Sequence, residues 1–436
     1  MNLNSKIFFN KKILIYGLGK TGLSSFNFLK NKNDVYLFDD NLKLKFTRTI
    51  KKKIISLKKL SKLKFDLIIL SPGIDINNCQ LKHLLKKYNQ NIYTDLDIFY
   101  SLYRNKCITV TGTNGKSTTC KLLYNILKDQ KIDVKLVGNI GTPILLKKKI
   151  SKKTIFVIEA SSYQLEYSKI FNSKYAAILN ISSDHLERHG NLKNYVSAKF
   201  KLLENQKKGS KSFINKNDKL IQNKIRKVSY KSNIKNIDLK VNKVLKKKIT
   251  NKYFLSRTNL ANLSFVLEII KNFHIKEDIL IKSINKFKGL DYRQQVIYKK
   301  NQLIIINDSK STSYSSSENL LKTYDNIHWL IGGIPKKNDK LNLPNKYFKN
   351  IRVYIFGRNY KKFLNDLSDK ARLKRFKNLK SALDAAIINV KKNKFTKNTI
   401  LFSPASASFD TFKNFEDRGL YFNELIKRYK NERKIF

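Results

Sequence analysis

Eight consecutive residues, Thr111-Gly112-Thr113-Asn114-Gly115-Lys116-Ser117-Thr118, concentrate more chemistry than any other stretch of this 436-residue chain. Gly112 and Gly115 let backbone N–H groups approach phosphate oxygens with no Cβ in the way. A helix starting directly afterwards adds the positive end of its dipole. Lys116 is placed to reach the β- and γ-phosphates of a nucleotide, and the Ser117 hydroxyl to ligate Mg2+. The general phosphate-loop pattern asks for one more glycine where Val110 stands, so the match to that pattern is partial. A chance glycine turn is the competing reading. The apolar run at 107–110 and the helical pattern through 127 oppose it.

A second glycine loop, Gly17-Leu18-Gly19-Lys20-Thr21-Gly22, fits G-x-G-x-x-G. Taken alone it suggests NAD, with Asp39 at the distance expected of a ribose-binding acid. The same loop serves any nucleotide diphosphate, and nothing downstream resembles hydride transfer. Glu159 closes the apolar run Val157-Ile158. A carboxylate there is costly unless it binds something, and beside a phosphate loop Mg2+ is the natural partner. Asp184-His185 follows another apolar run. His185 by itself reads as well as a structural histidine as a metal ligand. Lys199 attracts no notice in a chain this rich in lysine.

These residues need strands to present them. Apolar runs at 12–16, 34–38 and 66–70 alternate with helical patterns, as do those at 107–110, 154–158 and 175–180. A third group lies at 303–307, 328–331, 353–356 and 399–402, before a final helix through 429. Short apolar strands alternating with helices predict parallel sheets with ligands at the strands' C-terminal ends. The expected fold is α/β in three domains: Rossmann-like at 1–93, a phosphate-loop mononucleotide-binding domain at 94–290, and Rossmann-like at 291–436. The lysine-rich stretch 205–252 gives only fragments such as 211–214, before a helix expected at 259–272. A break is expected near Gly289.

Composition narrows the class. No apolar run approaches the roughly 20 residues of a membrane span, and the N-terminus carries no signal-peptide core. A cytoplasmic protein without membrane insertion is expected. Cys79, Cys107 and Cys120 lie far apart with no CxxC, which opposes a disulfide framework and a cysteine metal site. The formal net charge is +58. Nucleic-acid binding is one reading of such a field. The lysines are spread evenly, however, and the 22 Tyr and 27 Phe sit among apolar positions. The charge therefore reads as compositional drift, and no nucleic-acid partner is expected.

The segment from Thr111 to Thr118 is similar to the signature of the Mur ligases and folylpolyglutamate synthetases. Further segments resemble the D-glutamate-adding Mur ligases: Ser71-Pro72-Gly73-Ile74, Gly138-Asn139-Ile140-Gly141, and Glu159-Ala160-Ser161-Ser162-Tyr163-Gln164. So do Asn307-Asp308-Ser309-Lys310-Ser311-Thr312, Ser403-Pro404-Ala405-Ser406-Ala407-Ser408, and Phe415-Glu416-Asp417-Arg418-Gly419. The resemblance runs in order from residue 17 to 419. It implies an ATP-dependent amide ligase joining D-glutamate to UDP-N-acetylmuramoyl-L-alanine through an acyl phosphate, in peptidoglycan precursor synthesis, as a monomer. It implies a nucleotide site formed by Gly112, Thr113, Asn114, Gly115, Lys116, Ser117 and Thr118 with Asn259, Asn262, Arg293 and Asp308. Two Mg2+ ions would be held by Ser117, Glu159, His185 and Lys199, the last carrying a carbamate derived from CO2. Lys116, Lys199 and His185 would be the catalytic side chains. Gly17, Gly19, Thr21, Gly22, Ser71 and Gly73 would hold the uridine diphosphate, in place of NAD. Asn139, Ser161 and Gln164 would face the muramoyl-alanine, and Lys310, Thr312, Ser408 and Phe415 the D-glutamate, with Lys336 or its neighbour Lys337 beside them. Two positions depart from the family pattern. Thr258 replaces a usual histidine ahead of Asn259, and Asp40-Asn41 replaces a Thr-Arg type pair at the uracil pocket.

Overall fold

Sixteen strands in three sheets carry the chain in the computed structural model, which describes residues 7–41, 46–147, 149–300, 302–336, 339–392 and 397–432. The first sheet holds β1 (Lys12–Tyr16), β2 (Asp34–Phe38), β3 (Leu67–Leu70) and β4 (Ile92–Tyr93). Its order is β2-β1-β3-β4, all parallel. The second holds β5 (Cys107–Thr111), β6 (Val134–Gly138), β7 (Ile155–Glu159), β8 (Tyr175–Ile178), β9 (Lys211–Asn215) and β10 (Asn233–Ile237). Its order is β10-β9-β8-β5-β7-β6, again all parallel. The third holds β11 (Gln295–Lys300), β12 (Leu303–Asn307), β13 (Ile327–Gly332), β14 (Ile351–Phe356), β15 (Arg372–Phe376) and β16 (Asn398–Phe402). There the order is β11-β12-β16-β13-β14-β15, with only the β11–β12 pair antiparallel. The fold is α/β with parallel sheets, as the alternation of apolar runs predicts.

Burial follows the sheet order. β3 (LIIL), β5 (CITVT), β7 (IFVIE) and β8 (YAAI) are buried at every position, as strands covered on both faces require. The edge strands β10 (NIKNI) and β15 (RLKRF) are largely exposed and polar or charged, which discourages pairing with another chain. This explains the difficult stretch at 205–252. It contains β9, the helix Lys219–Lys227 and the edge strand β10, and within that helix only Ile221 is buried. So few apolar positions leave almost no periodic signal. The strand expected through Asn180 ends at Ile178, because the Asn180 side chain turns aside to clasp the phosphate loop. Cys107 and Cys120 are buried core residues and Cys79 is partly buried; all three are free thiols.

Contacts divide the chain into two compact units, Met1–Phe287 and Lys288–Phe436. In the first unit one hydrophobic layer includes Ile13, Ile15 and Ile69 of the first sheet with Phe156, Ile158 and Ile178 of the second. The helix Asp95–Leu102 lies in that layer through Leu96, Ile98 and Phe99. Its Asp97, fully buried, accepts from Ser168 Oγ (3.0 Å) and from the backbone N–H groups of Lys169 (2.9 Å), Ile170 (2.9 Å) and Phe171 (3.1 Å). The residue 93 boundary expected from sequence therefore falls inside one compact unit. The other cut falls close to the break expected near Gly289. In the second unit two core clusters line the two faces of the third sheet. Among the described residues, no helix is long and apolar enough to cross a membrane.

Candidate active site

The phosphate loop leaves the C-terminal end of β5 and enters the helix Lys116–Asp129 at Gly115, whose φ is +85°. A Cβ on Gly115 would lie 2.1 Å from Asn262 Oδ1, so the loop sits directly against the helix Arg257–Ile270. Thr113 N donates to Asn180 O (2.9 Å), Asn114 N to Asn180 Oδ1 (2.8 Å), and Asn180 Nδ2 to Asn114 O (3.0 Å). These bonds hold the loop in the open turn that a phosphate needs. Lys116 Nζ folds back over the loop and donates to Gly112 O and Thr113 O, both at 2.8 Å. Ser117 and Thr118 are buried in the first helical turn.

Glu159, 1% exposed at the end of β7, accepts from Ser117 Oγ (2.5 Å) and Asn139 Nδ2 (2.8 Å). Gly138 makes the second contact possible. A Cβ there would lie 2.3 Å from Glu159 O, and Asn139 N donates to that same carbonyl at 2.9 Å. A buried carboxylate whose two oxygens are met by neutral donors is suited to receive a cation. With the Ser117 hydroxyl it offers the oxygen donors that Mg2+ prefers, so these residues fit that metal.

Lys199 lies in the helix Leu192–Glu204 and is 1% exposed. Its Nζ donates to Gly112 O (3.0 Å) and sits 4.4 Å from the centroid of the Tyr195 ring. Burial, and then the Lys116 ammonium, hold the Lys199 amine well below its ordinary value, while Asp184 acts the other way. Tyr195 OH lies 3.0 Å from Thr113 Oγ1. His185, at φ +55°, places Nδ1 2.8 Å from Tyr163 OH and Nε2 3.3 Å from Asp184 Oδ2, and its ring centroid is 6.4 Å from that of Tyr195. Ser117 and Glu159 thus touch directly, whereas His185 and Lys199 are linked through the Tyr195 ring. Sequence reasoning missed Tyr195 and Asn180. Tyr195 stands one helical turn before Lys199, a spacing that places both on one face. Asn180 follows the strand that neighbours β5.

Asn259 and Asn262 are both buried; Asn259 Nδ2 donates to Tyr253 O at 3.0 Å. Ser161 caps the short helix Ser162–Glu166, and Gln164 Oε1 returns to Ser161 N at 3.2 Å. Gln164 also bonds Asp95, whose carboxyl burial lifts to about 6. Its amide thus caps its own helix at one end and meets the helix Asp95–Leu102 at the other.

In the first sheet β2 and β3 flank β1, so the chain switches sides at the β1–β3 pair and opens a crevice at their C-terminal ends. The Gly17–Gly22 loop and Ser71 meet there. Ser71 Oγ donates to Gly17 O at 2.6 Å, and a Cβ on Gly22 would lie 1.8 Å from that oxygen. Gly19 and Gly73, in contrast, have nothing within 4 Å of an added Cβ. Thr21 O accepts from Ser24 Oγ (2.7 Å). Asp39 accepts from Leu18 N of the loop (2.5 Å) through one oxygen and from Asn41 N (2.7 Å) through the other. Asp40 accepts from Tyr16 OH at 2.7 Å.

The second unit has its own cluster, where β16 inserts between β12 and β13. Asp308 is 5% exposed and accepts from Ser403 Oγ (2.9 Å) and Gln294 N (3.0 Å); burial lifts its carboxyl to about 7, against the pull of these bonds and of Arg293. The Lys310 ammonium lies 3.9 Å from the centroid of the Phe415 ring. Ser408 is buried, and Thr312 and Lys336 are half-buried. Lys337 lies outside the described residues.

Comparison with known proteins adds to this geometry. The model of the Mur ligase middle domain matches residues 110–277, and that of the Mur ligase MurD-like N-terminal domain matches residues 11–92. The UDP-N-acetylmuramoylalanine--D-glutamate ligase of Rickettsia felis is 32% identical over 456 residues, covering 99% of this chain and 99% of that protein. The ligase of the same name from Buchnera aphidicola is 33% identical over 449 residues, covering 96% and 98%. Among solved structures, the MurF ligase of Thermotoga maritima in complex with ADP superposes with a TM-score of 0.55 at 15% identity, over 98% of both chains. The UDP-N-acetylmuramate-alanine ligase of the same organism gives 0.54 at 18% identity, over 97% of this chain and 100% of that one. At these identities the two structures speak to the fold alone.

Proposed function

The chain belongs to the Mur ligase family, and from that premise we infer that it joins D-glutamate to UDP-N-acetylmuramoyl-L-alanine, converting ATP to ADP and phosphate in peptidoglycan precursor synthesis. The observation that carries this reading is the span of the likeness. It covers 99% of the chain, including the second unit where the amino-acid pocket residues lie. The alanine carboxylate attacks the γ-phosphorus and ADP leaves, giving an acyl phosphate. The D-glutamate amine attacks that carbonyl carbon, phosphate leaves and the amine gives up its proton. A carboxylate is a poor acyl donor until phosphate replaces oxide as its leaving group, which is what ATP contributes.

The residues divide this work by position. The phosphate-loop N–H groups and Lys116 hold and neutralise the phosphates. The Gly17 loop with Ser71 and Gly73 takes the uridine diphosphate, and Asn139 with Ser161 faces the muramoyl-alanine. Asn259, Asn262, Arg293 and Asp308 serve the nucleotide. Lys310, Thr312, Lys336, Ser408 and Phe415 serve D-glutamate. ATP with Mg2+ is the family's pairing; the metal, in two sites held by Ser117, Glu159, His185 and Lys199, supplies charge neutralisation when bound. Lys199 acts as a carbamate, formed when its neutral amine adds to CO2 and loses a proton. Burial beside Lys116 supports this by favouring the neutral form of the amine, and the carbamate would give Lys116 an opposite charge to face. The chain is taken to work as three domains, at 1–93, 94–290 and 291–436, a reading supported by one sheet lying within each range. The protein works as a cytoplasmic monomer.

The test is ADP release from ATP and UDP-N-acetylmuramoyl-L-alanine with D-glutamate, L-glutamate, L-alanine or meso-diaminopimelate in parallel. Turnover with D-glutamate alone, lost in Lys116→Ala, is the expected result. Turnover with another amino acid, or with none, rejects the assignment.

A further inference from the structure

The last helix, Phe415–Asn431, sends Arg418 inward, where it is 1% exposed and among the largest fully buried side chains of the protein. Its guanidinium reaches three separate loops. Nη2 donates to Ser309 O (2.7 Å) and Ser406 O (3.0 Å), Nη1 to Gly332 O (3.4 Å), and Nε to Ser309 Oγ (3.1 Å). These acceptors stand at the C-terminal ends of β12, β16 and β13. Gly333 closes over the guanidinium. A Cβ there would lie 3.0 Å from Arg418 Nη1 and 2.4 Å from Ser406 Oγ. Ile334 and Ala407 then exchange backbone hydrogen bonds at 2.9 and 3.0 Å, locking the second loop to the third.

Each loop that Arg418 holds leads into the amino-acid pocket. Ser309 is followed by Lys310 and Thr312, Ser406 by Ser408, and Gly332 by Lys336. Phe415, which meets the Lys310 ammonium, opens the same helix one turn earlier. Resting on the function proposed above, we propose that Arg418 is the positioning residue of the D-glutamate pocket: its planar fork fixes the three loops in one arrangement, and its buried charge behind them favours an incoming dicarboxylate. Burial lowers Arg418 to about 10, with Asp410 and Asp308 acting the other way, so it stays charged at neutral pH. Lysine cannot replace it, since an ammonium lacks the fork that meets carbonyls in several directions. An apolar side chain would fill the volume and leave the carbonyls unpaired.

The test is steady-state ADP release by the full chain with each of the three substrates varied in turn, for wild type, Arg418→Lys, Arg418→Ala and Ser309→Ala. In Arg418→Lys the KM for D-glutamate rises by about tenfold or more, and those for ATP and the UDP-substrate move less than about twofold. Methylguanidinium partly restores Arg418→Ala. Ser309→Ala, which removes the Nε contact together with the Ser309 Oγ bond to Phe415 O (2.9 Å) and leaves both Nη2 bonds in place, raises the D-glutamate KM by about two- to fivefold. An unchanged D-glutamate KM in a folded Arg418→Lys, or an equal rise for all three substrates, overturns the proposal. If both Arg418 variants fail to fold, an unchanged KM in Ser309→Ala overturns it by itself. A wild type that shows no D-glutamate-dependent turnover fails the function, and the pocket assignment with it. An active wild type with unaffected variants fails only the role of Arg418.

Discussion

Lys199 shows how a single side chain is defined by what surrounds it. In the sequence it is one lysine among many, yet it is buried against Gly112 O, where burial holds its amine well below the ordinary lysine value. If its carbamate acts at the phosphate end of the site, Lys199→Ala loses about 100-fold or more in kcat, and formate or acetate restores part of it by supplying a carboxylate to the vacated space. Equal loss with and without the acids would remove the carbamate from the mechanism. Asp308 makes a prediction about stability. Its folded carboxyl sits near 7 against an ordinary 3.8, so the folded chain holds the proton more tightly than the unfolded one. The stability this confers is complete below about pH 4 and is lost as pH rises through 7, on the order of 4 kcal/mol at most. Thermal unfolding followed from pH 4 to 7.5 should show a shallower decline for Asp308→Asn than for wild type. Parallel curves would mean that Asp308 does not carry the effect.

At the scale of the element, two glycines in one loop do different work. Gly22, in the first turn of the helix Lys20–Leu29, packs against Gly17 O with no room for a methyl group. Gly19 faces open space at the mouth of the β1–β3 crevice. Gly22→Ala should therefore destabilise the protein by about 1–3 kcal/mol through overpacking. Gly19→Ala should fold with little change in melting temperature and raise the KM for the UDP-substrate by about tenfold, since its new Cβ occupies space that a diphosphate would need. Calorimetry and kinetics on the two variants separate the roles. A Gly19→Ala enzyme with wild-type KM would take the diphosphate away from this loop.

For the whole molecule the outstanding feature is the net charge of +58. Among the described residues lysines lie on exposed helix faces and edge strands, such as the helix Lys219–Lys227 and β15. A diffuse positive field attracts anionic substrates at long range and is screened by salt. Raising ionic strength from about 0.05 to about 0.5 M, which shortens the Debye length from roughly 14 to roughly 4 Å, should lower kcat/KM for the UDP-substrate while leaving kcat unchanged. A kcat that falls in parallel would point to charges inside the site.

The sequence by itself determined the α/β class, the strand-end loops and the phosphate loop, because buried parallel strands read as continuous apolar runs and Gly112 to Ser117 is a local pattern. It also carried the family resemblance through segments in fixed order. It left β4, β6, β10, β11 and β15 unread, since a two-residue strand and partly exposed or lysine-rich strands lack the contrast that periodicity needs. Only the tertiary structure decided which carboxylate meets Ser117, that Asp39 binds its own loop, that Lys199 lies under Gly112, and that Arg418 turns inward to three carbonyls. Each of these is a contact between residues far apart in the chain, fixed by the order of strands in a sheet. Strand order follows from how whole hydrophobic faces pack, which no local run of residues encodes.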